Sequence, residues 1–188
     1  MNEPVVSDIE KRLNTNAATV ITVAERLLKV FTGIPEFSEK ERTGGYLSIT
    51  AKFADEVLLL SRIGIIAHVD DANPKYQTKA RKYMLCSLEK GKRLIFKAAS
   101  LRHLSSWQSQ DETNDQYAGA VWCDEFAVSF SGLPALADEA LCLVLSVHFG
   151  WMEPGRASTI AQLSNNPYFE SLMLAWHKAG NAGPVRIN

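Results

Sequence analysis

The chain has 188 residues, 46% of them hydrophobic and 22% charged, with a net charge of −1. That is too apolar for a disordered chain and long enough for one domain with its own core. No apolar run approaches the ~20 residues of a membrane-spanning helix, three cysteines make no disulfide framework, and the near-neutral balance gives no global argument for nucleic acid or a membrane.

The first residues, Met1 to Asp8, hold no basic and apolar run of a signal peptide. Cys86, Cys123 and Cys142 lie far apart in apolar surroundings, without a CxxC pair. Both features predict a cytoplasmic protein with reduced, mostly buried thiols and no zinc site.

Ser7 and Glu10 are spaced as a capping box, and Ile9, Leu13, Ala17, Val20, Ala24, Leu27, Leu28 and Phe31 recur at helical spacing until Gly33 and Pro35. Glu36 to Gly45 reads as a loop. Leu47 to Arg62 fits a helix, and Ile63 to Val69, short and β-branched, fits a buried strand before the turn cluster Asp70 to Pro74. Lys75 to Lys90 predicts a second helix, with Tyr76, Ala80, Tyr83, Met84 and Leu88 on its apolar face and Gly91 closing it. Leu94 to Ala98 and Leu101 to Gln108 read as strands, and Ser109 to Gln116 as a polar loop. Ala118 to Cys123 and Phe126 to Phe130 predict a hairpin around Asp124 and Glu125.

Ser131 to Pro134 ends that hairpin and opens a helix from Ala135 to Phe149. This helix is apolar on most sides and so buried on several. Ser158 to Leu163 and Tyr168 to Lys178 predict two further helices. Helices, then strands, then a buried helix predict an α+β fold: an antiparallel sheet with helices packed on it. The chain reads as a single domain over 1–188: an N-terminal helix over 1–34, an α+β core over 46–150, a C-terminal helical segment over 151–178 and a tail over 179–188.

Charge is unevenly distributed. Lys75, Lys79, Arg81, Lys82, Lys90, Lys92, Arg93, Lys97 and Arg102 share their segment with one acid, Glu89. From His103 to Gly155 there is no Lys or Arg, against Asp111, Glu112, Asp115, Asp124, Glu125, Asp138, Glu139 and Glu153. The asymmetry implies a basic patch for an anionic ligand or acidic partner, or two opposite faces that meet within or between subunits. The basic segment lacks a nucleic-acid-binding signature.

Four groups of residues carry chemistry. His68 and Asp70 form an H-x-D pattern which, with His148, has the composition of an iron-binding facial triad. His148 lies in a helical stretch, though, and too few strands remain for a jelly roll. Ser131 sits where a strand turns into a helix, a place suited to a turn and N-cap. Asp138 and Glu139 complement the dipole of that helix. His103, Ser105, Ser106 and Trp107 precede the polar loop, where a pocket can form beside a sheet. Asp138, Cys142 and Ser146 share a stripe that meets backbone or another subunit.

The run from Tyr117 to Val121, then Phe130-Ser131-Gly132-Leu133-Pro134 and Asp138-Glu139-Ala140, resembles the C-terminal pattern of the GlcG/HbpS haem-degrading-like family. Lys79-Ala80-Arg81-Lys82 resembles that family's Lys-Ala helix. The resemblance implies a profilin-like sheet and a homo-oligomer, and some members are linked to haem or to sensing. It supplies no ligand residue.

The sequence thus predicts a non-catalytic small-molecule-binding or sensory module with contacts at His103, Trp107, Ser131 and Asp70. Its ligand is unnamed, haem or another cofactor included, and no metal, nucleic acid or membrane is implied. Two alternatives stand beside it: a metal- or cofactor-dependent enzyme using His68, Asp70 and His148, and an interaction protein using the basic helix.

Overall fold

The structure, a computed structural model, describes residues 11, 13, 15–34, 37, 42–52, 56–66 and 74–180. Along the chain run α1 (Ala17–Thr32), β1 (Gly44–Ala51), β2 (Val57–Gly64), α2 (Pro74–Leu101), β3 (Ala120–Trp122), β4 (Phe126–Ser131), α3 (Ala135–His148), α4 (Pro154–Leu163) and α5 (Phe169–Lys178). The strands form one antiparallel sheet in the order β2-β1-β4-β3. The fold is therefore α+β, with helices packed on an antiparallel sheet. No helix among the described residues is long and apolar enough to cross a membrane.

Alternation along the strands sorts the sheet into two unlike faces. Leu47 and Ile49 of β1, with Val128 and Phe130 of β4, point into the main core, which α1, α3 and α5 complete. Ser48 and Thr50, with Ala127 and Ser129, point the other way, beneath α2. This second face combines buried hydroxyls with a small apolar cluster in which Leu94 of α2 meets Ala120, Trp122 and Ala127. Ser87 of α2 donates to Ser48 Oγ at 3.1 Å, Ser48 and Ser129 share a hydrogen bond of 2.7 Å, and Ser129 donates back to the Ser87 carbonyl at 2.6 Å. Three buried hydroxyls thus close a ring that leaves none of them unpaired.

Four sequence expectations are corrected here. Leu47 to Arg62 is not a helix but most of β1 and β2, and Gly44-Gly45 opens β1 rather than ending a loop. Its period is two: Leu47, Ile49 and Ala51 are buried in the core with Ser48 and Thr50 between them. Of the expected strand over 63–69, Ile63 and Gly64 belong to β2, Ile65 and Ile66 are not strand, and 67–69 lie outside the described residues. Gly91 does not close a helix. It lies inside α2, which runs on to Leu101 through the segment expected as a strand at 94–98. Finally, the second expected strand, 101–108, holds a short 3-10 turn, Ser106–Ser109, after one isolated bridge from Ser105 to Val121.

The hairpin, α3 and both C-terminal helices lie close to where the pattern puts them. α1 opens at Asn16, whose side chain accepts from the Thr19 N–H, and ends at Gly33. The Ser7–Glu10 capping box lies outside the described residues.

Gly91 lets α2 approach the sheet closely. A Cβ there would stand 3.0 Å from Thr50 Oγ1 and 3.5 Å from Ser129 Oγ. Gly91→Leu should lift α2 off the serine ring and cost at least about 1–3 kcal/mol, the usual penalty of overpacking. Urea unfolding of the variant against the parent checks it. An unchanged midpoint would mean that α2 does not seat there.

Candidate functional site

The charged groups of α2 and α3 meet at the end of the sheet. Lys90, on the inner side of α2, and Asp138, in the first turn of α3, are each 2% exposed and pair at 2.8 Å. Lys90 Nζ also donates to the Phe130 carbonyl at 2.9 Å, and Asp138 Oδ1 accepts from the Leu133 N–H at 2.8 Å. Gly119 leaves the space for this. Its φ is +120°, and a Cβ on it would lie 2.7 Å from Asp138 Cβ and 2.8 Å from Lys90 Nζ. Burial pushes the Asp138 carboxyl up to about 6, against the opposing pull of the Lys90 ammonium and its hydrogen bonds.

A cleft of ≈ 280 Å³ opens above the pair, at the small end of ligand pockets, which run roughly 300–1,000 Å³. Arg42, Lys82, Tyr83, Cys86, Tyr117 and Ser131 form its walls, and the start of α3 at Pro134 and Ala135 forms one end. Burial raises the Tyr83 hydroxyl and the Cys86 thiol above their ordinary values. A hydrogen bond to Asp115 raises Tyr117, so all three stay neutral at pH 7. Lys82 faces Asp115 at 3.4 Å, with both side chains largely exposed, and such a pair adds little stability.

Two further networks hold the walls. The Arg93 guanidinium donates to the Ser106, Ser109 and Tyr117 carbonyls and to Ser109 Oγ, while its Nε pairs with Glu89 at 2.7 Å. One side chain of α2 thereby fixes the whole loop before β3. On the other side of that loop the buried Glu139 carboxylate accepts from Ser105, Ser164 and Asn166, joining α3 to the turn between α4 and α5. Burial raises its carboxyl while those donors pull it back down. The basic and acidic halves of the chain therefore meet within one subunit, through Lys82–Asp115 and Lys90–Asp138.

Of the residues expected in a site, Ser131 lies in the cleft wall. It is not an N-cap. The cap position of α3 is Pro134, without a side-chain hydrogen bond, and Asp138 takes the Leu133 N–H instead. His103 and Trp107 are not among the cleft residues. Trp107 sits in the 3-10 turn, and His103 Nδ1 is buried without a hydrogen-bond partner among the described residues. Asp70 and His68 lie outside the described residues. His148 is at the far end of α3, where its Nδ1 accepts from Trp176 Nε1 at 3.3 Å. Among the described residues no group of three His, Cys, Asp or Glu is placed to hold a metal.

Sequence reasoning did not single out Lys90, Tyr83, Cys86, Arg42 or Tyr117 as site residues. A signal for Lys90 was present: it stands seven residues after Tyr83 and four before Leu94, on the inward stripe of α2.

A haem does not fit this cleft. The volume is small, and the candidate axial ligands Cys86 and Tyr83 are both held protonated by burial. No protein-family model, no curated protein and no solved structure matches the chain.

Removing one member of the buried pair should cost about 3–5 kcal/mol, because the other charge is left without its partner. Lys90→Met and Asp138→Leu should each show that loss in urea unfolding, and the double variant should recover most of it. Additive losses would mean that the two charges do not act as a pair.

The pair also has a pH signature. Because the folded Asp138 pKa of about 6 lies above its ordinary 3.8, the folded state binds more protons than the unfolded state between those values. Stability relative to the double variant should therefore fall as pH rises from about 4 to 6 and level off above. Denaturant titrations across that range check the slope, and a rise would reverse the assignment.

Proposed function

We propose that the protein is a non-catalytic small-molecule-binding module whose ligand enters the cleft between α2 and the start of α3. The reading rests on Lys90. Its ammonium has three N–H donors; two are used by Phe130 and Asp138, and the residue lines the cleft. Arg42 and the start of α3, which no side chain caps, line the same cleft as Lys90. That donor set suits a carboxylate or carbonyl oxygen. Tyr83 and Tyr117 offer flat surface to the rest of the molecule. A thiol kept protonated by burial is a poor nucleophile, which favours binding over catalysis at Cys86.

The same proposal takes the sheet as profilin-like, in line with one long helix on one face and the remaining helices on the other. It places the protein in the cytoplasm, in keeping with three free thiols. It also includes a homo-oligomer. β2 is an edge strand, with Val57, Leu60 and the adjacent Ile65 exposed, and an unprotected apolar edge is a template for a second copy.

Native mass spectrometry of gently purified protein, with thermal shifts against a panel of mono- and dicarboxylates, tests the binding and the subunit count together. A retained small mass or a panel member that raises the melting temperature is expected. Arg42→Ala and Tyr83→Ala should lose that response, read as the shift from each variant's own melting temperature. An apo protein indifferent to the whole panel would overturn the binding proposal, and a monomer would overturn the oligomer.

A second reading has its own observation. Arg81, Leu85, Lys92 and Phe96 share the outer face of α2, with Leu85 51% and Phe96 69% exposed. This face suits an acidic partner surface with an apolar spot, and its binding would weaken with salt.

A further inference from the structure

The far end of α3 builds a cavity unlike the cleft. It encloses ≈ 300 Å³ between the end of α3, the start of α4 and α5. Val144, Val147, Met152, Met173 and Trp176 give it apolar walls, and His148 is the buried polar residue among them. Glu153 and His177 stand at its exposed rim.

The chemistry of His148 is determined by its neighbour. An indole N–H can only donate, so His148 Nδ1, 3.3 Å from Trp176 Nε1, must be the acceptor. In the neutral ring the proton is then on Nε2. Burial and the nearby Arg26 charge both hold His148 below its ordinary pKa, which keeps the ring neutral at pH 7. Arg26 is fixed there by stacking over Trp176, 5.4 Å from the ring centroid.

His148 is only 8% exposed, yet Nε2 has no partner among the described residues and is not one of their sealed, unpartnered polar atoms. The residue lines the cavity. A donor on the wall of an apolar cavity is the usual grammar of a small-molecule site: the walls supply affinity and the donor supplies orientation.

We infer that this cavity is a second binding site, for a small neutral molecule with an aromatic or aliphatic body and one hydrogen-bond acceptor that meets His148 Nε2–H. Neutrality follows from the surroundings. The Glu153 carboxylate at the rim and the Arg26 guanidinium over Trp176 are of opposite sign, and the walls themselves are mostly apolar with no buried acid among them. The site does not depend on the cleft above Lys90, which lies at the opposite end of α3.

Methionine methyl NMR tests it on the full-length chain. The four methionines are Met1, Met84, Met152 and Met173, and two of them line the cavity. Acetophenone, an aromatic ketone, serves as the probe, with ethylbenzene as the same shape without an acceptor. Saturable shifts of the Met152 and Met173 methyls, with Met84 unmoved, are expected for acetophenone. Ethylbenzene should bind about tenfold more weakly, the worth of one hydrogen bond. His148→Phe should bring acetophenone down to the level of ethylbenzene. No shift at Met152 and Met173, or equal affinity for the two probes in the parent protein, would overturn the inference. That comparison stands even if the variant does not fold, and it leaves the carboxylate test of the cleft untouched.

Discussion

The buried pairing of Lys90 with Asp138 is the constraint on which the rest of the arrangement depends. Withdrawing either charge from water costs several kcal/mol, about as much as good geometry can return. Here the return comes from the 2.8 Å contact and from the Phe130 carbonyl and Leu133 N–H that complete it. The pair joins α2, which lies on one face of the sheet, to α3, which packs on the other. It passes beside Gly119 at the entry to β3, where a Cβ would collide with both side chains. On its face of the sheet α2 is positioned by the ion pair, the serine ring, the seat at Gly91 and the apolar contact of Leu94 with Ala120, Trp122 and Ala127.

From this anchor the two layers acquire different chemistry. The α2 side carries the serine ring, the ion pair and a small apolar cluster, and the cavity that opens from it has charged groups and tyrosines around it. The other side is filled by branched and aromatic side chains, with α3 buried nearly all round. A cavity opening from that side is walled by valine, methionine and tryptophan, and its polar chemistry comes from a single histidine. Both cavities lie at ends of α3, one at its uncapped start and one at its final turn. The same helix that is too apolar to face water thus presents its two ends to solvent.

Elements with one dominant period were legible in the sequence. α1 and α3 carry apolar residues at helical spacing, and the hairpin of β3 and β4 alternates around a turn. β1 and β2 misled because Leu47, Ile49 and Phe53, then Val57, Leu58 and Leu60, satisfy a loose helical count as well as a strand. Local spacing cannot choose between the two when small serines and threonines fill the other face. The second half of α2 misled for the opposite reason. Gly91 looks like a terminator, and Leu94, Ile95 and Phe96 look like a strand. The glycine is there because the sheet is 3.0 Å from where its Cβ would be, a tertiary fact with no local trace. Lys90 was legible by its position on the inward stripe, but a lysine inside a basic run is easily taken for surface. Its partner lies 48 residues on, which no local window reaches.

The charge asymmetry shows why composition alone could not locate the site. Of the basic residues on α2, Lys90 and Arg93 turn inward and are consumed by architecture: one holds α3, the other holds the loop before β3. Lys82 leans across to Asp115 at the mouth of the cleft. Arg81 and Lys92 face outward. A single run of positive charge is thus divided into a structural set, a rim set and a solvent set by nothing more than the 100° turn between successive helical residues. Arg42, which completes the cleft, comes from outside the run altogether. The basic groups that line the cleft, Arg42, Lys82 and Lys90, are accordingly chosen by helix phase and by one residue from outside the run, not by the excess charge of the segment.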